Sequence, residues 1–456
     1  MINSITLQNT LLEFIISDKL NPNKNIFTVI TGKNGIGKSR LLNIIASHFI
    51  DKAGEKKLVK IHRELNDKPD YKLDYITTPR KVITVATSAF DKFPVTRRRE
   101  SLDNYSYLGL RGLSSMDLSA EYISKITFKL ISAVMNQELD MNRIANVLNY
   151  LGYYDEIEIS LSLRYSENRI KEIIKSHDIY KEFDERFLRG VLPLGSINRG
   201  LFIDENGALI KNNVDFALRA MSKHTAKRMG ASENIVINKE GAKIISEYGE
   251  LDDDFMFLLE AGIISTRNVN LRKSHSNKTF RMKNASSGEQ CILMSFLGIA
   301  SQITDNSLIC IDEPEVCLHP EWQEKYISIL MDTFKDYNNC HFIIATHSPQ
   351  ITSKLNSENC FIISLQDGKT HNATTVINRS IDFQLATLFK APGYKNEYLT
   401  RSLIGFLAEL AANKTISNEK IDEIKNILEL KPLLSDSDPV KQLITLAEKA
   451  LKEKRQ

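Results

Sequence analysis

Apolar residues along this chain fall into two kinds of run. Short unbroken runs read as buried strands: "IFTVIT" from Ile26, "VITVA" from Val82, "LICID" from Leu308, "HFIIAT" from His341 and "CFIIS" from Cys360. They do not alternate with polar residues, which suits a parallel sheet covered on both faces. Longer stretches, apolar every three or four residues, read as helices. "KSRLLNIIASHFI" follows the first strand, and "PEWQEKYISILMDTFKDY" joins "LICID" to "HFIIAT". This alternation of strand and helix predicts an α/β fold with right-handed crossovers.

The middle of the chain has a different texture. From 112 to 266 helical periodicity dominates, as in "SAEYISKITFKLISAVMNQ" and "ENRIKEIIKSHDIYKEFDERFL". No long heptad array occurs, so the segment predicts a compact helical insertion and not a coiled-coil arm. Beyond Ile381, "EYLTRSLIGFLAELAANK", "NEKIDEIKNILEL" and "DPVKQLITLAEKALKEKRQ" read as three amphipathic helices. The expected organisation is an N-lobe (1–111), a mainly helical insertion (112–266), a C-lobe (267–380) and a helical C-terminal region suited to docking a partner (381–456).

Composition narrows the class. The 456 residues are 42% hydrophobic and 26% charged, with a net charge of +3. That is ordinary globular composition, and any nucleic-acid binding must come from a local patch. No stretch of about 18 apolar residues predicts a membrane span. The N-terminus lacks the charged segment and small-residue cleavage site of a signal peptide. The five cysteines are Cys291, Cys310, Cys317, Cys340 and Cys360, with no Cys-x-x-Cys pair. They read as reduced thiols of a cytoplasmic protein, not as metal ligands.

Four motifs carry the chemistry. "GKNGIGKS", Gly32 to Ser39, fits G-x-x-x-x-G-K-[ST] between a strand and a helix. Its glycines let backbone N–H groups turn toward phosphates at a helix N-terminus. Lys38 is expected to reach the β- and γ-phosphates of ATP and Ser39 to ligate Mg²⁺. Gly32, Asn34, Gly35, Gly37, Lys38, Ser39 and Arg40 are the expected nucleotide-binding set here. In "LICIDEPE", Asp312 is the second Mg²⁺ residue and Glu313 the acid that polarises the attacking water. "THS" ends the next strand, placing His347 where it can orient that water against the γ-phosphate, with Glu313 and Lys38 as catalytic partners.

The fourth motif, "SSGEQ", has no phosphate loop near it in sequence. Ser286, Ser287, Gly288 and Glu289 open a helix, an arrangement that binds anions. A head-to-tail homodimer would lay this segment over the ATP held by the other copy's Lys38. The plainer alternative is an N-cap on a buried helix.

Together, "GKNGIGKS", "ASSGEQ", "LICIDEPEVCLHP" and "ATHSP" resemble the ABC-type ATPases outside transporters. These include SMC and RecF-like repair proteins, the overcoming-lysogenization-defect nucleases and antiphage ATPases. "VATSAFDKFP" and "APGYKNEYLTRSL" further resemble the PtuA ATPases of Septu systems and their retron-associated relatives. That resemblance implies an ATPase holding and gating an HNH nuclease of the PtuB type. Repair ATPase and self-contained nuclease stay open as alternatives. The Gln that such ATPases carry at the lobe junction is absent, leaving Ser88 or Asp91 as nucleotide-sensing candidates and slow or regulatory hydrolysis as an expectation. Two basic stretches are candidate DNA surfaces or plain solvated loops: Arg97 to Arg99, and Arg267, Arg272, Lys273, Lys278, Arg281 and Lys283.

Overall fold

The computed structural model describes residues 1–7, 10–16, 20–21, 23–52, 59–60, 71–88, 90–96, 104–109, 111, 118–136, 141–163, 167–189, 197–204, 206–226, 233–245, 251–276, 278–355, 359–376, 379–412 and 416–453. Its central sheet has seven strands. Their order is Lys369–Asn372, Cys360–Ser364, Ile26–Thr31, His341–Thr346, Ser307–Asp312, Lys81–Ala86 and Tyr105–Leu108. The first of these is antiparallel to its neighbour, and the others run parallel.

Every residue of Ile26–Thr31, Ser307–Asp312 and His341–Thr346 is buried. Successive side chains point to opposite faces, so each strand feeds two cores. Ile30, Cys310 and Ile343 pack with Leu42 and Ile45 of the Lys38–Lys52 helix. Val29, Ile311 and Ile344 pack on the other face with Phe296 and Ile327, from helices Ser287–Ala300 and Pro320–Phe334. Burial on both faces explains why these strands are unbroken apolar runs. The parallel register sets Asp312 beside Ala86 and Ala345, and Thr346 beside Thr31. The loops that follow therefore leave the carboxyl end of the sheet together.

The insertion contains the helices Leu118–Met135, Met141–Tyr150 and Lys211–Ala226. It also contains a five-stranded antiparallel sheet that helical periodicity does not announce. The strand order there is Gly241–Ile244, Glu233–Asn238, Tyr153–Leu163, Ile264–Lys273 and Thr279–Arg281. The boundary expected between 266 and 267 thus falls inside a strand. Residues up to Arg281 pair with the insertion's sheet and not with the central one. Four helices, Ile381–Thr387, Glu397–Ala411, Asn418–Leu428 and Pro439–Glu453, close the chain. They share a core built from Leu399, Leu403, Phe406, Ile424 and Ile444. Among the described residues no helix is long and apolar enough to cross a membrane.

Asp91 ties the loop after Lys81–Ala86 to the edge strand. Its Oδ1 accepts from Arg111 Nη2 at 2.7 Å and from the Phe93 amide at 3.0 Å. Its Oδ2 accepts from Tyr107 Oη at 2.7 Å and from Arg111 Nε at 3.1 Å. Its side chain is fully buried, so this carboxylate is committed to the frame and not presented to a ligand. Removing it leaves a largely buried guanidinium unpaired. Asp91→Ala should lower unfolding free energy by about 3 kcal/mol in denaturant titration, and Asp91→Asn by less. Equal stability of Asp91→Ala and wild type would show that the ion pair is not this anchor.

Candidate active site

The loop from Gly32 to Gly37 leaves the Ile26–Thr31 strand and turns directly into a helix beginning at Lys38. Gly35 and Gly37 have φ of +78° and +107°, a region that a side chain disfavours. The tight turn keeps Lys38 4% exposed. Its ammonium donates to the Gly32 carbonyl at 3.0 Å and lies 3.1 Å from His347 Nδ1, with Nε2 also against it. Burial pulls the Lys38 pKa down, while Glu313, Glu315 and Asp312 act to raise it. An ammonium only donates, so His347 must offer it a ring lone pair. Burial and then Lys38 likewise lower the His347 pKa, favouring the neutral ring.

On the next helical position, Ser39 Oγ donates to Asp312 Oδ1 at 3.1 Å, joining the Lys38–Lys52 helix to the end of the Ser307–Asp312 strand. A hydroxyl and a carboxylate converging this way are hard oxygen donors suited to Mg²⁺, which takes few protein ligands and keeps waters or phosphate oxygens. Burial raises the Asp312 pKa to about 7.

Glu313 departs from the strand in the left-handed region, at φ +48° and ψ +56°. For a non-glycine residue this costs on the order of 1–2 kcal/mol. Two contacts hold it there: its amide donates to Ala345 O at 2.9 Å, and Thr87 Oγ1 donates to its carbonyl at 2.8 Å. The bend sets Glu313 Oε1 3.4 Å from His347 Nε2. Glu315, which sequence reading passed over, accepts a hydrogen bond from the His347 amide. Burial raises its pKa. Its neighbour Val316 is 56% exposed. Asn34, Gly35, Glu313, Glu315, Val316 and His347 line a cleft of about 260 Å³. Arg40 is exposed on the first turn of the Lys38–Lys52 helix.

The "SSGEQ" segment is built as a capping box. Ser286 Oγ accepts from the Glu289 amide at 3.3 Å, and Glu289 Oε2 accepts from the Ser286 amide at 2.9 Å. Tyr153 Oη donates to Glu289 Oε1 at 3.2 Å. Gly288 is buried, and a Cβ there would lie 3.3 Å from Cys317 O. Ser286 and Ser287 remain exposed. The segment's hydrogen bonds run among its own residues, to Lys283 and Ala285 just before it and to Tyr153 of the insertion, with none to the Gly32–Ser39 loop among the described residues. The structure therefore brings Lys38, Ser39, Asp312, Glu313 and His347 together, and leaves Ser286 to Glu289 outside that cluster. Arg97 to Arg99 lie outside the described residues.

A phosphate loop and an acid-ended strand, with a fully buried parallel strand between them, decide the architecture. The fold is that of a P-loop ATPase. The family model described as "AAA domain, putative AbiEii toxin, Type IV TA system" matches residues 151–353. The chain is similar to the Retron Ec83 probable ATPase of Escherichia coli, at 31% identity over 127 residues, 25% of this chain and 22% of that protein. It is similar to the Retron Vc95 probable ATPase of Vibrio cholerae serotype O1 biovar El Tor, at 22% identity over 386 residues, 75% of this chain and 69% of that protein. Its match thus spans less than a quarter of the first relative's length and about two thirds of the second's. Among solved structures, Stu0660 of Streptococcus thermophilus aligns at 12% identity and a TM-score of 0.33, covering 98% of this chain and 93% of that one.

The raised Asp312 pKa has a consequence for stability. The folded protein holds this proton more tightly than the unfolded chain, whose aspartates titrate near ~4. Its contribution therefore falls as pH rises from about 4 to about 7. Measured without divalent cations, Asp312→Asn should melt above wild type at pH 8, and the gap should narrow toward pH 5. Equal melting temperatures at pH 8 would show that the buried charge carries no penalty.

Proposed function

We propose that this chain is the ATP-binding and ATP-hydrolysing subunit of an antiphage defence complex, a PtuA-like ATPase that holds and restrains an HNH-type nuclease. The clustering of Lys38, Ser39, Asp312, Glu313 and His347, the last and Glu313 lining a cleft, carries the ATPase reading. Lys38 and the loop amides would bind the phosphates. Ser39 and Asp312 would hold Mg²⁺, which neutralises developing phosphate charge when bound. Glu313 would accept a proton from, or orient, the attacking water, with neutral His347 fixing its direction. Similarity to the two retron ATPases supports the defence setting.

A second copy completes the site in this reading. Ser286 and Ser287 are exposed at a helix start, and Val316 and Ile36 are exposed beside the cleft. A head-to-tail pair would cover these apolar groups and sandwich two ATP molecules. The C-terminal helices, with their own core and with Tyr394, Ile404 and Leu446 exposed, are the proposed seat of the nuclease.

A DNA-acting repair ATPase is the second reading. It is favoured by the hairpin whose Arg267, Lys278, Arg281 and Lys283 are exposed and lack an ion pair among the described residues. Arg272 by contrast lies 3.8 Å from Glu156 and over the Tyr154 ring.

Lys38→Ala should weaken ATP binding at least roughly tenfold, the worth of a charged hydrogen bond. Glu313→Gln should keep binding and lose turnover on the order of 10²-fold. Calorimetry and single-turnover hydrolysis read both. Wild-type turnover in Glu313→Gln would remove Glu313 from its role. DNA-stimulated hydrolysis by the purified chain, with steep salt dependence, would favour the repair reading.

A further inference from the structure

Two cysteines face each other across the contact between the Ser287–Ala300 helix and the turn that follows Glu313. Gly288 presses on this turn, the site of its Cβ lying 3.3 Å from Cys317 O and 3.8 Å from Leu318 Cδ2. Cys291 stands three residues further along the same helix, hence on the same face as Gly288. Cys317 ends the short 3₁₀ turn Pro314–Cys317. Both cysteines are half-buried free thiols, whereas Cys310, Cys340 and Cys360 are buried in the sheet region. Mutual interaction with Cys291 pulls the Cys317 thiol down to about 6 and pushes the Cys291 thiol up. Of the two, Cys317 is the thiol more readily ionised.

We propose that Cys317 and Cys291 are a peroxide-responsive pair whose disulfide staples the "SSGEQ" helix to the turn after Glu313. The chemistry balances with hydrogen peroxide as the oxidant. The Cys317 thiolate attacks one peroxide oxygen, the O–O bond breaks, and hydroxide leaves, giving a sulfenic acid. The Cys291 sulfur then displaces the sulfenic oxygen, which leaves as water after taking up the Cys291 proton. Peroxide is reduced by two electrons and the two thiols are oxidised to one disulfide. A dithiol reductant reverses the step by thiol–disulfide exchange.

The staple would sit where it can reach the catalytic cluster. Glu315, inside the turn, holds the His347 amide. Gln323 Nε2 donates to Leu318 O at 2.9 Å, while its Oε1 accepts from Ser348 Oγ at 2.6 Å. A turn tied to the helix would lose freedom to shift with Glu313 and His347. Oxidation is therefore expected to slow ATP turnover. That second effect rests on the ATPase reading, whereas the disulfide itself does not.

The test uses the full chain treated with hydrogen peroxide, then denatured, and its free thiols alkylated and mapped by mass spectrometry. Free thiols should fall from five to three in wild type, with one peptide pair linking Cys291 and Cys317, and dithiothreitol should restore all five. Cys291→Ser and Cys317→Ser should each lose no pair of thiols. Turnover should drop several-fold on oxidation in wild type alone and recover on reduction. Five free thiols after peroxide, or a disulfide between other cysteines, would overturn the pair. A Cys291–Cys317 disulfide with unchanged turnover in a hydrolysing protein would overturn the link to catalysis. If wild type forms the disulfide but hydrolyses no ATP in either state, the pair stands and the ATPase reading fails.

Discussion

A lysine ammonium that has been taken out of water needs nearby negative charge, and the cluster at the carboxyl end of the sheet is arranged around that need. Lys38 is almost fully buried, and burial pulls against its charge while three carboxylates push back. In a folded interior such a cation survives only with good partners. The Gly32 carbonyl and His347 supply hydrogen-bond acceptors. Asp312, Glu313 and Glu315 supply the field. A phosphate chain would bring stronger negative charge to the same point, so the arrangement is one that ATP would relieve.

The sheet makes the cluster possible. Three adjacent strands buried on both faces can carry no charge along their length, so ionisable groups are displaced to their ends. Parallel pairing puts those ends side by side. Glu313 shows the cost of the arrangement. Continuing the strand would carry it past the cleft, and the left-handed bend at its backbone redirects the carboxylate toward His347. Strain at such a residue is held by its neighbours, here Ala345 and Thr87.

The sequence made this part of the molecule readable because burial and chemistry leave local marks. Unbroken apolar runs give strands, and glycines before a lysine give a phosphate loop. The insertion's sheet was legible too, in the strict alternation of Ile157, Ile159 and Leu161 with polar neighbours, and that signal was submerged in the helical stretches around it. The commitment of Asp91 to Arg111 and Tyr107 could not be read, because it depends on side chains 16 and 20 residues away folding back over it. Nor could the pairing of Cys291 with Cys317. Glu315, the third acid of "DEPE", has no role that the motif assigns, yet it anchors the His347 amide.

A shared site requires that each ATP be held by two chains. The most direct measurement mixes two inactive variants, Lys38→Ala and Ser287→Arg, and follows ATP hydrolysis. In a head-to-tail pair, a mixed dimer has one site with an intact Lys38 from one copy and an intact "SSGEQ" from the other. The account predicts that the mixture regains turnover that neither variant shows alone. A mixture no more active than the average of its parts would contradict it.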